Sequence, residues 1–318
     1  MQTNKKVKVF ITVFLIVIIV TCIAGFLIAY IPSKMSEEHT NDIIDLYFQD
    51  TGFDINSFNS DWQEKIQEFE IISDLGHTIP IYYIAQNDRY DNKTVILVHW
   101  HESNHAAMYP IAELFLESGW NIVLYDQRAH GKNTAKTVTF GYLESLDLDQ
   151  VVDFTKAKTD NNAVGVLGQS MGASTIAYYL GSDEAKENLS FAVIDSPYSG
   201  MYDEISWEIS KGKVPIVASG LTSLGSAFCK ALYGYSFKDV DIIERIKNNN
   251  TPTLLLHSKD DQKCPYYMAE DIFKAIPHDQ KAFITYENSD HLFSFWDEPE
   301  RYSDELFSYI MNFTDSKK

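Results

Sequence analysis

The residues Gly168-Gln169-Ser170-Met171-Gly172 have the types and spacing most suggestive of chemistry. They lie between a short apolar run, residues 163–167, and a helix-like segment, residues 173–180. A serine with a glycine two positions away on each side, at a strand-to-helix junction, has the form of a nucleophile elbow. So sharp a turn brings the flanking residues into contact. Side chains there would clash, so glycine is required, and the serine is held in a strained conformation that exposes its hydroxyl. A hydroxyl becomes a useful nucleophile only when a base takes its proton, and the base needs a carboxylate to orient it.

Candidates for both partners come later in the chain. Behind the apolar run 253–256 stands His257-Ser258-Lys259-Asp260-Asp261-Gln262-Lys263-Cys264-Pro265, and behind 282–286 stands Asn288-Ser289-Asp290-His291. Both segments fall just past predicted strand ends, where side chains can converge on the elbow. His291 is the candidate base. Spacing alone leaves the acid open between the neighbours Asp260 and Asp261, only one of which can face a common site. Asp290 is too close to His291 in sequence to hold the ring from behind.

The elements that position these residues alternate. Strands are predicted over 94–98, 121–125, 164–167, 191–194, 253–256 and 282–286, and helices over 106–117, 143–156, 173–180, 266–275 and 299–313. Buried apolar strands alternating with amphipathic helices imply an α/β fold with a mostly parallel sheet covered on both faces. An antiparallel pair, 70–73 and 78–85, turns through Gly76 ahead of it. The alternation breaks over about 198–250, where apolar helical material (205–209 and 216–232) follows a strand's C-terminal end. Open α/β sheets carry their sites at that end, so a helical lid is expected there. Its apolar character suits an acyl or aromatic substrate group.

These ordered blocks resemble the α/β-hydrolase superfamily, specifically its bacterial esterase and serine-aminopeptidase-like members, over about residues 70–313. The resemblance implies the α/β-hydrolase fold with a helical lid insertion, and a triad in the chain order Ser, acid, His. In that family a strand is followed by His-Gly-x-x-Asp-x-x-Val-Pro. His257 and Pro265 then align Asp261 as the acid, with Ser258 and Cys264 in place of Gly and Val. The expected catalytic set is Ser170, Asp261 and His291. Two backbone N–H groups should form the oxyanion hole. One belongs to Met171; the other, by resemblance, belongs to His101 in the loop His99-Trp100-His101-Glu102-Ser103-Asn104-His105, where Trp100 stands in place of the family's glycine. Asp126-Gln127-Arg128-Ala129-His130-Gly131 resembles the family's Asp-x-Arg-x-x-Gly turn. That turn and Asp195-Ser196-Pro197 are read as loop-fixing groups.

The expected activity is cleavage of a carboxylic ester through an acyl-enzyme, on a small-molecule ester or a short peptide substrate. The alternatives are a serine peptidase or aminopeptidase, or a catalytically silent binding domain on the same scaffold. No cofactor and no metal are expected. The cluster His99, His101, His105 departs from the zinc pattern His-x-His-x-Asp-His, with Ser103 and Asn104 where the Asp and third His would fall.

Residues 7–31 form a 25-residue apolar stretch whose only charge is Lys8, preceded by Lys5 and Lys6. At about 1.5 Å per residue it exceeds the ~30 Å hydrocarbon core of a bilayer. No small-residue cleavage site closes it, so an uncleaved single-pass anchor is expected rather than a signal peptide. Lysines before the span and Glu37 and Glu38 after it place the catalytic body outside the cytoplasm. The expected organisation is a stub and transmembrane anchor (1–34), a stalk or packing segment (35–69), and a hydrolase domain (70–318). Removing the three N-terminal lysines from the net charge of −19 leaves the remainder at −22. Such a body repels nucleic acid and anionic headgroups. Cys229 and Cys264 could pair in an oxidising compartment, but two cysteines make no disulfide framework.

Overall fold

The computed structural model describes residues 2–86, 93–159, 163–211 and 213–314. In chain order the elements are α1 (Gln2–Tyr30), α2 (Glu37–Thr51), α3 (Ile55–Trp62), β1 (Ile66–Ile72), β2 (Thr78–Ile84), β3 (Thr94–Val98), α4 (Tyr109–Glu117), β4 (Asn121–Tyr125), α5 (Glu144–Lys158), β5 (Val164–Gln169), α6 (Met171–Tyr179), α7 (Asp183–Asn188) and β6 (Phe191–Asp195). After these come α8 (Met201–Ser210), α9 (Pro215–Tyr233), α10 (Ile242–Ile246), β7 (Thr253–Ser258), α11 (Tyr266–Ala275), β8 (Lys281–Tyr286), α12 (Ser294–Asp297) and α13 (Pro299–Thr314).

The strands form one eight-stranded sheet in the order β1-β2-β4-β3-β5-β6-β7-β8. β1 pairs β2 and β2 pairs β4 antiparallel, and every later pairing is parallel. All residues of β3, β4, β5 and β6 are buried, as expected of strands covered on both faces. β1, at the sheet edge, alternates exposed and half-buried residues. That edge position explains why its polar start at Ile66-Gln67-Glu68 is not legible as strand. The strand order reverses between β3 and β5. The crevice at such a switch point, outside the C-terminal strand ends, is where open α/β sheets hold ligands.

Residues fall into two compact units: Met1–Ser33 with Met201–Val240, and Lys34–Gly200 with Asp241–Lys318. The second unit contains the whole sheet. In it α2 is capped by Ser36, whose Oγ accepts the His39 N–H, and ends at Gly52 with φ 72°. Phe58 of α3 is fully buried and stacks on Tyr109, with ring centroids 4.3 Å apart. The ends of the segment that leaves for the other unit are pinned by a bridge between Gly200 and Asp241 and by the Ile242 N–H on the Ser199 carbonyl at 3.2 Å. The helix expected from residue 106 begins as a 3-10 turn, His105–Met108, and becomes α-helical at Tyr109. Pro110, which lacks an N–H, fits the first turn there. Cys22, Cys229 and Cys264 are not joined by disulfides.

Candidate active site

Ser170 sits between β5 and α6 at φ 51°, ψ −114°, a conformation that L-residues rarely adopt. Its neighbours show why the turn needs glycine. A Cβ on Gly168 would lie 2.5 Å from the Gly172 carbonyl carbon, and one on Gly172 would lie 2.1 Å from the Val98 carbonyl oxygen. Strand β3 and helix α6 therefore touch backbone to backbone directly beneath the serine. The Ser170 N–H donates to the Asp195 carbonyl at 2.9 Å, tying the elbow to the end of β6. Met171 opens α6, and the first N–H groups of a helix have no acceptor within it.

Three side chains from separate strand ends meet here. His291 Nε2 lies 2.9 Å from Ser170 Oγ, and His291 Nδ1 lies 2.7 Å from Asp261 Oδ2. The other Asp261 oxygen accepts the N–H groups of Lys263 and Cys264, each at 2.8 Å. Burial alone would raise the Asp261 carboxyl. Its hydrogen bond and charge interaction with His291, reinforced by His257 and the Cys264 N–H, outweigh that and hold it below the usual carboxylate range. His257 is driven by burial toward its neutral form, and its Nε2 bonds the Cys264 carbonyl at 2.8 Å, closing the loop on which Asp261 stands. Asp260 faces elsewhere: it is exposed and accepts the Asn288 N–H at 2.8 Å. Asp290 is exposed as well.

The loop carrying His101 is fastened to the turn after β4 at three points. His99 Nε2 accepts the Gln127 N–H at 2.9 Å while its Nδ1 bonds the Trp100 carbonyl at 2.8 Å, so both ring nitrogens are engaged. Burial lowers this ring to about 4, keeping it neutral. The Glu102 N–H donates to His130 Nε2 at 3.1 Å, and His130 Nδ1 bonds the Arg128 carbonyl at 2.8 Å. Asp126 accepts from the His105 N–H at 2.9 Å and Nδ1 at 2.7 Å, and from the Lys132 N–H at 2.9 Å. Burial opposes its ionisation, but His105 and His99 overcome that and hold its carboxyl at about 2. Gly131, at φ 48°, gives that carboxylate room, because a Cβ there would fall 2.3 Å from it. The His101 ring packs against Phe140 at 5.1 Å.

Asp195, expected to fix its loop, does so through partners that sequence reasoning does not name, and the role of Tyr47 escapes it. The Asp195 carboxylate accepts from Gln169 at 3.1 Å, Tyr302 at 3.0 Å and Ser196 at 3.1 Å, so the residue before the serine is gripped from β6 and α13. Burial raises this carboxyl against those bonds. Tyr47, on α2, packs against Trp100 at 4.8 Å and accepts the Trp296 Nε1–H at 2.9 Å. One aromatic thus braces both the His101 loop and the segment following His291. Neither partner is near in sequence, so no local pattern announces these contacts.

The sheet order, the backbone contact under Ser170 and the convergence of strand-end loops define an α/β hydrolase by fold. A family model described as serine aminopeptidase, S33, matches residues 91–232. The chain is 29% identical over 301 residues to the uncharacterized protein YqkD of Bacillus subtilis (strain 168), spanning 94% of this chain and 95% of that one. Among solved structures it is similar to the esterase Pf2001 of Pyrococcus furiosus, with TM-score 0.63 and 21% identity over 84% of this chain and 95% of that one. It is also similar to the esterase EaEST of Exiguobacterium antarcticum, with TM-score 0.57 and 21% identity over 77% of this chain and 100% of that one.

Proposed function

We propose that this chain is a membrane-anchored serine hydrolase that cleaves a carboxylic ester through an acyl-enzyme. The observation that carries the reading is the continuous line Ser170 Oγ, His291 Nε2, His291 Nδ1, Asp261 Oδ2, with steps of 2.9 and 2.7 Å at its two hydrogen bonds. Ser170 attacks the carbonyl carbon while His291 takes its proton, and Asp261 keeps Nδ1 protonated so that Nε2 is free to accept. Negative charge then develops on the carbonyl oxygen, facing the N–H groups of Met171 and His101. His291 returns the proton to the leaving alcohol, and water repeats the sequence to release the acid. Ionised Asp261 suits this role, because the positive charge that forms on the imidazole lies beside a negative one.

Esterase neighbours in fold favour ester over amide. The S33 aminopeptidase model favours a second reading, hydrolysis of a short peptide at its N-terminus, by the same groups. The anchor rests on α1 and the turn after it, whose segment Val7–Ser33 contains an 18-residue window of mean hydropathy 3.1. A panel of p-nitrophenyl esters of rising acyl length, run beside aminoacyl p-nitroanilides with wild type and Ser170→Ala, separates these readings. Turnover of the esters that vanishes in Ser170→Ala supports the esterase. Turnover of the anilides alone supports the peptidase, and no turnover of either by folded protein points to a binding domain.

A further inference from the structure

Helix α9 of the insertion is long and apolar, yet one face of its first turn has no protein cover. Ile216 is 89% exposed, and Val214 and Val217 are at least half exposed. Within their shared unit α9 packs closely on α1. A Cβ on Gly25 would lie 2.5 Å from the Leu224 side chain, and one on Gly225 would lie 2.5 Å from Ile28. Phe26 meets Phe228 edge to face at 6.3 Å. Small residues that let helix backbones approach are the usual means of helix pairing in lipid. Leu224 is set on Gly25, while Tyr233, further along α9, interacts with Ser33 and Tyr30. The two helices therefore run in the same sense, and the start of α9 points back toward the apolar length of α1. Thr21 and Cys22 of α1 are exposed, so α9 leaves α1 below Gly25 and its tip stands to one side.

Charge singles out the same segment. The body carries a net −22, yet residues 211–238 hold four lysines and no acid, the longest acid-free run after residue 36. Lys211 and Lys213 directly precede the apolar tip, with Lys211 also paired to Glu208. A run without carboxylates enters hydrocarbon at lower cost than the rest of this acidic body, and lysine stems can snorkel toward polar surroundings. From Leu224 back to Ile216 is eight residues, about 12 Å of helix, which fits within one leaflet's half of a ~30 Å hydrocarbon core.

We propose that the insertion is itself a membrane element: Val214, Ile216 and Val217 enter the outer leaflet beside the anchor helix. This deepens the anchored reading and rests on α1 lying in the bilayer. The test uses the full chain reconstituted in vesicles of phosphatidylcholine and phosphatidylglycerol, with and without doxyl-labelled lipid. An environment-sensitive fluorophore is placed on the exposed native Cys22, or on Ile216→Cys in a Cys22→Ser background; Cys229 and Cys264 are buried and shielded from the label. A label on Glu270→Cys, in the same Cys22→Ser background, reports an aqueous surface. The expected result is a blue shift and loss of emission to doxyl lipid at both 22 and 216, and neither at 270. Quenching at 22 without quenching at 216 overturns the proposal and leaves the anchor standing. A blue shift at 216 without quenching assigns that face to a second protein chain and also overturns it. No quenching at either position overturns the anchor and the proposal together.

Discussion

Replacing Asp261 with Asn tests the hydrogen-bond line at its least forgiving point. One carboxylate oxygen accepts two backbone N–H groups at 2.8 Å, from Lys263 and Cys264, and the other accepts His291 Nδ1 at 2.7 Å. The Asn amide can enter this site one way only. Setting its NH2 against the two N–H groups would leave buried donors unpaired, at about 1–3 kcal/mol each, so the amide oxygen takes that place. The NH2 then points at His291 Nδ1, which must become an acceptor, and the ring's proton moves to Nε2. A protonated Nε2 cannot take the proton of Ser170. The expected loss in kcat is ~10⁴-fold, or about 5 kcal/mol of transition-state stabilisation, with little change in stability. Stopped-flow hydrolysis of the best p-nitrophenyl ester, beside Asp260→Asn, measures it. Asp260→Asn should turn over near normally, since that carboxylate is exposed and accepts the Asn288 N–H, away from His291. A nearly active Asp261→Asn, or a dead Asp260→Asn, refutes the reasoning.

Other outcomes follow from the same contacts. Gly172→Ala forces a methyl to within 2.1 Å of the Val98 carbonyl oxygen and should destabilise by about 1–3 kcal/mol or more in chemical denaturation, since backbone must move to admit it. His130→Ala removes the acceptor for the Glu102 N–H and loosens the His101 loop; kcat/KM should fall about tenfold with secondary structure intact by circular dichroism. Asp126, at about 2 in the fold against about 3.9 unfolded, contributes stability that is present above pH 4 and lost as pH falls toward 2. The difference in unfolding free energy between wild type and Asp126→Asn should therefore shrink between pH 7 and pH 3.

Local sequence carried the fold because the buried central strands are short apolar runs closed by polar loops, and that pattern survives without tertiary knowledge. It also placed Ser170, the neighbours Asp260 and Asp261, and His291 just past strand ends, the resemblance alone favouring Asp261. A parallel sheet gathers those ends on one edge. Spacing could not choose between Asp260 and Asp261, because only the turn closed by His257 and the Cys264 carbonyl decides which carboxylate faces His291. The bracing of Trp100 and Trp296 by Tyr47, and the seating of α9 on α1, join segments up to about two hundred and fifty residues apart. Such pairings depend on shape across a gap and leave no periodic trace in either segment. The start of edge strand β1, ahead of the expected 70–73, was hidden for a simpler reason: Gln67 and Glu68 face water.

The most direct measurement is peptide mapping by mass spectrometry after treating the folded full chain with a fluorophosphonate. A single phosphonyl adduct on the peptide holding Ser170, formed in wild type and abolished in His291→Ala, is the expected result. An unmodified Ser170 in active protein, or an adduct that forms equally fast without His291, would contradict a hydroxyl made reactive by that imidazole.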